Sequence, residues 1–338
     1  MCIALISTAH PAYSLIVINN RDEYLRRPTA PATWWPTPNS TVLGGRDLAR
    51  KTQGTWMGIT THGKIAVLTN YRERTSDAAT GQKSRGAIVN SWLTQTPDLE
   101  TKEYVREMVA SPAARDVGGF SLVCGYVNEP LAVVSNRSSD LEQVSWIAQT
   151  AKGKEGQTVG LSNTVFDDRS WDKILDGERL VNEAVAEHVQ QSEGEEQLIE
   201  RLLGVLSTDS LPQLGEGATA EDYLPYFRKS IFIPLIGTRE KETAPAAAGE
   251  ITAPAPDSAC QDGHGETGEE GMKEAAPSGN DTLDQSYMHG PYGTQKQTVL
   301  LVQKDGRVKY FERTLYDQDA QAVPIGEGDR TFEFHVSR

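Results

Sequence analysis

The second residue of the chain is a cysteine, and it is small enough for an aminopeptidase to be expected to remove the methionine before it. Cys2 would then carry both a thiol and a free α-amine. An α-amine titrates near ~8, so it can accept the proton of the neighbouring thiol, and one residue supplies nucleophile and base together. Cysteine also packs as a small hydrophobe, which suits a plain strand position equally well. A second polar cluster, Asn20-Arg21-Asp22-Glu23, follows the apolar run SLIVINN. Asp22 is a candidate acceptor for the amine or thiol of residue 2, and Arg21 is a candidate for holding an oxyanion or an anionic group. By composition alone the same four residues read as a solvated loop whose ion pairs contribute little. Asn70 and Asn163 close the strand-like runs LTN and LSN and are candidate amide donors to an oxyanion, although asparagine at a strand end also serves turns.

Positioning such groups requires strands. CIALIST (2–8) and SLIVINN (14–20) are β-rich and meet at His10-Pro11, which predicts a hairpin. Residues 55–71 predict two strands around His62-Gly63. FSLVCGYV (120–127) and LAVVSN (131–136) predict another hairpin around Asn128-Glu129-Pro130. Helices are expected over 86–95 and 101–110. From Trp171 a near-3.6-residue period predicts a helix burying Ile174, Leu175, Val181, Val185 and Val189. Ser192-x-x-Glu195 predicts a capping box opening a helix that buries Leu198, Ile199, Leu202, Leu203 and Leu206. QTVLLVQ, VKYFERTL and TFEFHVSR close the chain as strands, with Asp305-Gly306 at a hairpin tip. Hairpins with helices grouped between them predict an α+β fold of two antiparallel sheets covered by helices. No phosphate-cradling glycine motif is present.

The net charge of −14 weighs against nucleic acid and anionic membrane surfaces as partners. No apolar run approaches the ~20 residues of a membrane span, and a secretory signal is not expected. Cys2, Cys124 and Cys260 are odd in number and widely spaced, so neither a disulfide scaffold nor a structural metal site is expected, and a reducing compartment fits. Residues 239–284 hold eleven acidic against three basic residues, four prolines and little that could be buried. They are expected to form a disordered acidic insertion in one domain made of 1–238 and 285–338, with Cys260 and His264 incidental to it.

In order along the chain come Met1-Cys2, Asn20-Arg21-Asp22-Glu23, Arg26-Arg27-Pro28, Trp34-Trp35, Gly44-Gly45-Arg46-Asp47 and Gly54-Thr55-Trp56-Met57-Gly58. Leu68-Thr69-Asn70-Tyr71, Ser84-Arg85-Gly86, Gly160-Leu161-Ser162-Asn163, Trp171 and Tyr292-Gly293-Thr294-Gln295 follow. This series resembles the NRDE family, the transport and Golgi organisation protein 2 group. The chain departs from the family pattern at Gln295, where a basic residue is expected, and in its long insertion.

The resemblance implies a four-layer αββα sandwich of two mainly antiparallel sheets, similar to N-terminal-nucleophile hydrolases such as the choloylglycine-hydrolase-like amidases. It implies Cys2 as the nucleophile position, Arg21 or Asp22 as its orienting partner, and Asn70 and Asn163 as oxyanion donors. Asn20, Glu23, Trp34, Trp35, Arg46 and Trp56 become ligand-binding candidates, with a cleft lined by Trp34, Trp35 and Trp56 suited to a flat apolar ligand. For cellular role it implies Golgi organisation, protein secretion, haem trafficking and mitochondrial lipid or acyl-CoA metabolism. The favoured expectation is a non-catalytic carrier of haem or an acyl lipid, cytoplasmic or associated with Golgi or mitochondria, requiring no cofactor. The alternatives are an N-terminal-cysteine amidohydrolase acting on a linear amide, and an interaction protein whose acidic insertion recruits partners.

Overall fold

Alternation along the first strands sets the layering. In the computed structural model, which describes residues 2–72, 84–111, 117–137, 144–148, 156–215, 217–237 and 289–337, β1 (Ile3–Ser7) and β2 (Tyr13–Tyr24) pair antiparallel with Ile3 opposite Asn20. Ala4, Ile6, Leu15 and Val17 point into one apolar cluster, and Ile3, Leu5, Ile16 and Ile18 into another. Both faces are buried, which is why these strands read as near-continuous apolar runs.

The next strands build a second sheet: β3 (Thr29–Pro36), β4 (Thr41–Asp47), β5 (Met57–Thr60) and β6 (Lys64–Asn70). Helices α1 (Gly86–Leu93) and α2 (Thr101–Ala110) follow, then β7 (Phe120–Tyr126), β8 (Leu131–Ser135) and β9 (Ser145–Ile147). The chain returns to the first sheet with β10 (Thr158–Leu161), then α3 (Asp172–Gln191), α4 (Glu195–Leu206) and the short α5 (Ala220–Tyr223). It finishes with β11 (Tyr292–Gln303), β12 (Arg307–Thr314) and β13 (Asp329–His335).

The strand orders are β10-β1-β2-β11-β12-β13 and β3-β4-β5-β6-β7-β8-β9. Every named pairing is antiparallel. The sheets face each other across a core that includes Leu15, Val17, Ile59, Val67, Leu300 and Tyr310. Trp92, Tyr104 and Val105 of α1 and α2 cover the outside of the second sheet, and Val181, Leu198 and Leu202 of α3 and α4 cover the first. The result is the expected αββα sandwich. The predicted hairpins form, and Gly306 turns the β11–β12 tip at φ +91°.

Three details differ. Ser192 caps nothing at the start of α4; it is the left-handed C-cap of α3 at φ +53°, and Gly194 precedes α4 without a side-chain cap. Glu195 is instead held by Tyr13, Arg307 and Lys309, partners supplied by the first sheet. Leu175 and Val189 are each 42% exposed, and Lys173, Gly177, Ala184 and His188 occupy the buried stripe of α3 with Ile174, Val181 and Val185. Strands β3, β4 and β9 were not anticipated, and of β10 only the strand-like run from Leu161 was noted; β3 and β4 take their extended form from neighbouring strands more than from residue propensity. The acidic segment 239–284, with Cys260 and His264, lies outside the described residues.

Candidate functional site

Cys2 stands immediately before β1, in a strand whose even-numbered residues Ala4 and Ile6 face the other sheet. Its thiol donates to the main-chain carbonyl of Asp22 at 3.8 Å, and its own carbonyl accepts from Ser162 Oγ at 2.8 Å. The β1–β2 register brings the leading cysteine beside the acidic-basic tetrad, and the residue is 9% exposed. Burial pushes the Cys2 thiol up, the Asp22 carboxylate adds to this, and Arg21 opposes it.

The tetrad is not one cluster. Successive residues of β2 point to opposite faces, so the four side chains divide between the two layers. Arg21 lies on the inter-sheet side with its guanidinium over the Trp56 ring at 4.6 Å. It donates to Gln295 Oε1 and comes within 4.0 Å of Asp47. Gln295 is the extra residue of a bulge in β11 and donates in turn to Leu25 O at 3.2 Å. The position where a basic residue was expected thus holds an acceptor for Arg21.

Asn20 and Asp22 face the helices. Asn20 Nδ2 donates to Leu206 O at 2.7 Å and Ile231 O at 2.9 Å, tying the end of α4 to the sheet. Asp22 Oδ1 accepts from Thr294 Oγ1 at 2.8 Å, and that hydroxyl also accepts from Ile233 N at 2.9 Å. Glu23 is partly exposed, accepts from Tyr24 N at 3.0 Å and lies 3.7 Å from Arg27.

The two asparagines from the LTN and LSN runs do meet. Asn163 Nδ2 donates to the Asn70 carbonyl at 2.6 Å, and Arg72 N donates to Asn163 O at 2.9 Å. Thr69 Oγ1 donates to Ser162 O at 2.8 Å. These bonds join the end of β6 in one sheet to the segment after β10 in the other, the segment whose Ser162 bonds the Cys2 carbonyl.

The three tryptophans do not share a cleft. Trp34 and Trp35 are consecutive in β3 and so project from opposite faces. Trp34 packs toward the inter-sheet core and edge-on to Phe334 at 4.9 Å, whereas Trp35 joins the outer cluster under α1 and α2. Arg46 stacks on Trp35 at 4.6 Å and donates to Gln53 O. Only Trp56 reaches the neighbourhood of Arg21.

Sequence reasoning passed over four neighbours of the site. Ser162 and Thr294 lie inside motifs that were noted, and their hydroxyls fix Cys2 and Asp22. Arg85, in Ser84-Arg85-Gly86, is partly exposed. Burial lowers its pKa to about 10, with Arg27 and Arg50 acting in the same direction and Glu23 and Cys2 opposing. Lys173 is fully buried in the first turn of α3. Burial lowers its pKa, and the charges of Asp22 and Cys2 resist that shift. A lysine at a helix start reads from sequence as a solvated side chain, so nothing announced it.

Fold and site together define an αββα sandwich with a cysteine at the head of an inner strand, its thiol on the Asp22 carbonyl of the next strand and Arg21 on the same inter-sheet side. A model of the family described as Transport and Golgi organisation 2 matches residues 1–317, and the chain belongs to that family. It is 28% identical over 324 residues to the human Transport and Golgi organization protein 2 homolog, covering 96% of this chain and 93% of that one. The mouse homolog is 27% identical over 311 residues, covering 91% and 89%. Among solved structures, penicillin V acylase from Agrobacterium tumefaciens is similar with a TM-score of 0.45 at 11% identity, covering 99% of this chain and 86% of that one. A Caenorhabditis elegans N-acylethanolamine-hydrolyzing acid amidase ortholog gives 0.41 at 12% identity, covering 62% and 87%.

Proposed function

We propose that the chain is an N-terminal-cysteine amidohydrolase acting on a linear amide. The observation that carries this reading is the seat of Cys2: its thiol rests on the Asp22 carbonyl, and its own carbonyl is held by Ser162, next to the Asn163 that bonds Asn70. Removal of Met1 would free the amine that serves as base. The thiol proton passes to that amine as sulfur bonds to the amide carbon, and the carbonyl electron pair moves onto oxygen. Collapse breaks the C–N bond, the amine leaves with the proton, and water then hydrolyses the thioester. Asn163 has one side-chain N–H engaged with Asn70 and a second available in kind for an oxyanion.

The test incubates the full chain with a panel of N-acyl amides, reading amine release and the intact mass. A Cys2-linked acyl adduct and turnover lost in Cys2→Ala are expected. A mature protein retaining Met1, or amine release equal in wild type and Cys2→Ala, would refute the reading.

A second reading is a carrier of haem or an acyl lipid, with a role in Golgi organisation, the only part of this reading that the family name carries. It is favoured by burial raising the thiol pKa, which keeps Cys2 in its less nucleophilic protonated form. Saturable binding of haem or an acyl lipid by Cys2→Ala, with no turnover in the wild type, would support it; absence of saturation with either would remove it.

A further inference from the structure

Cys2 lies beyond the end of both ladders that hold β1. The β1–β10 pairing stops at Ala4 opposite Leu161, and the β1–β2 pairing stops at Ile3 opposite Asn20. A chain end that runs past its last ladder pair frays unless side chains tie it down. Here three such bonds do so. Ser162 Oγ donates to the Cys2 carbonyl at 2.8 Å, Asn19 Nδ2 donates to the Ile3 carbonyl at 2.8 Å, and the thiol donates to the Asp22 carbonyl at 3.8 Å.

The three bonds constrain different things. Ile3 already stands in the ladder, so the Asn19 bond secures a residue that the sheet holds anyway. The thiol contact fixes rotation about the Cα–Cβ bond of Cys2. The bond to its carbonyl fixes rotation about Cα–C, and with it the direction in which the α-amine leaves Cα. Ser162 is aimed in turn. It is fully buried, one residue past the end of β10, and Thr69 Oγ1 of β6 donates to its carbonyl at 2.8 Å. Asn163 Nδ2, on the following residue, donates to the Asn70 carbonyl at 2.6 Å, so two bonds hold this segment to the end of β6. Asn163 Oδ1 lies 3.4 Å from the Ser162 hydroxyl, and the nearer Cys2 carbonyl takes its one hydrogen.

We propose that Ser162, aimed by Thr69, is a positioning residue for the N-terminal nucleophile: its hydroxyl holds the Cys2 carbonyl and so sets the direction of the α-amine that takes the thiol proton. This rests on the reading of Cys2 as nucleophile and base together. Ser162 acts through Cys2, and the attack on the amide carbon remains that of the thiol alone.

The test compares the full chain as wild type, Ser162→Ala and Ser162→Thr. One readout is kcat and KM for the amide of the N-acyl panel that the wild type cleaves fastest. The other is alkylation by iodoacetamide at neutral pH, followed by peptide mass at Cys2 and separately at Cys124, whose buried thiol reports on the fold. Burial raises the Cys2 thiol pKa, so a residue released from its seat labels faster even as turnover falls. Ser162→Ala is expected to lower kcat about 10–100-fold with KM within about threefold, and to label Cys2 about fivefold or more faster with Cys124 unchanged. Ser162→Thr keeps the hydroxyl and should restore most of kcat. Unchanged kcat and unchanged Cys2 labelling in Ser162→Ala overturn the proposal. So does Cys124 labelling that rises in step with Cys2, which would make the bond a support of the whole fold. Should Ser162→Ala fail to fold, Thr69→Val carries the test, with the same directions and the same overturning results. Turnover that depends on Cys2 but not on Ser162 removes this inference and leaves the hydrolase reading standing. No turnover of any amide by the wild type, with Cys2 labelling still released by Ser162→Ala, removes the hydrolase reading and leaves Ser162 as the residue that seats Cys2.

Discussion

Two buried histidines at the end of the sandwich away from Cys2 make a pH-sensitive joint. The Ala12 amide donates to His10 Nδ1 at 3.0 Å, so the neutral ring carries its proton on Nε2. That nitrogen lies 3.1 Å from His188 Nδ1, which must therefore accept, and His188 Nε2 donates to Gly194 O at 3.1 Å. The chain of bonds ties the β1–β2 turn to the α3–α4 junction. A second proton on His10 would set N–H against the Ala12 N–H. Around His10 stand the Tyr13 ring at 4.8 Å, His188 and the Lys304 charge, while Glu193, paired with Arg201 at 2.5 Å, has a charge interaction with His188 on its far side. Burial, then His188, then Lys304 lower the His10 pKa to about 4 from 6.5. The unfolded chain thus takes the proton first. The stability is fully present above pH ~6.5 and is lost progressively as pH falls toward 4, by at most about 3 kcal/mol. Urea unfolding of wild type and His10→Phe between pH 7 and 4 measures it. The variant should be about 1–3 kcal/mol less stable at pH 7, where the Ala12 amide and His188 lose partners, and the gap should narrow as pH falls. A gap that stays constant across that range would refute the reasoning.

Other perturbations probe the scaffold. Gly86→Ala should lower the melting temperature, by about 1–3 kcal/mol of stability, because its Cβ would sit 2.9 Å from Gly54 Cα; a stabilised variant, the ordinary result of removing glycine from a helix, would contradict that contact. Lys296→Met should cost about 3–5 kcal/mol in chemical denaturation, since it strands the fully buried Glu312 that Lys296 approaches at 3.3 Å. The double change with Glu312→Leu should recover much of the loss, and no recovery would count against the pair. Asn20→Ala should destabilise by about 2 kcal/mol through its two carbonyl partners while leaving turnover per folded molecule intact. A selective loss of turnover at unchanged stability would assign Asn20 to the ligand instead.

Much of the architecture was legible in the amino-acid order because it depends on local pattern. Apolar runs meeting at turn residues announced the hairpins β1–β2, β5–β6, β7–β8 and β11–β12. The 3.6-residue period announced α3 and α4, and the ordered motifs announced the family. Ser192 misled because a capping box and a left-handed C-cap followed by a new helix share the same residue types over so short a span. Strands β3 and β4, built from threonine, proline and glycine as much as from apolar residues, take their form from pairing partners distant in the chain.

The site was visible from sequence only as a set of names. Cys2, Arg21, Asp22, Asn70 and Asn163 could be nominated by residue type and motif, yet their grouping follows from strand register. The β1–β2 pairing sets Cys2 beside Arg21, and the period of two sends Arg21 between the sheets and Asp22 toward the helices. The same rule separates Trp34 from Trp35. Arg85 and Lys173 became neighbours of the thiol only through tertiary packing, because a charge buried in a fold and a charge at a solvated helix start are spelled identically in sequence.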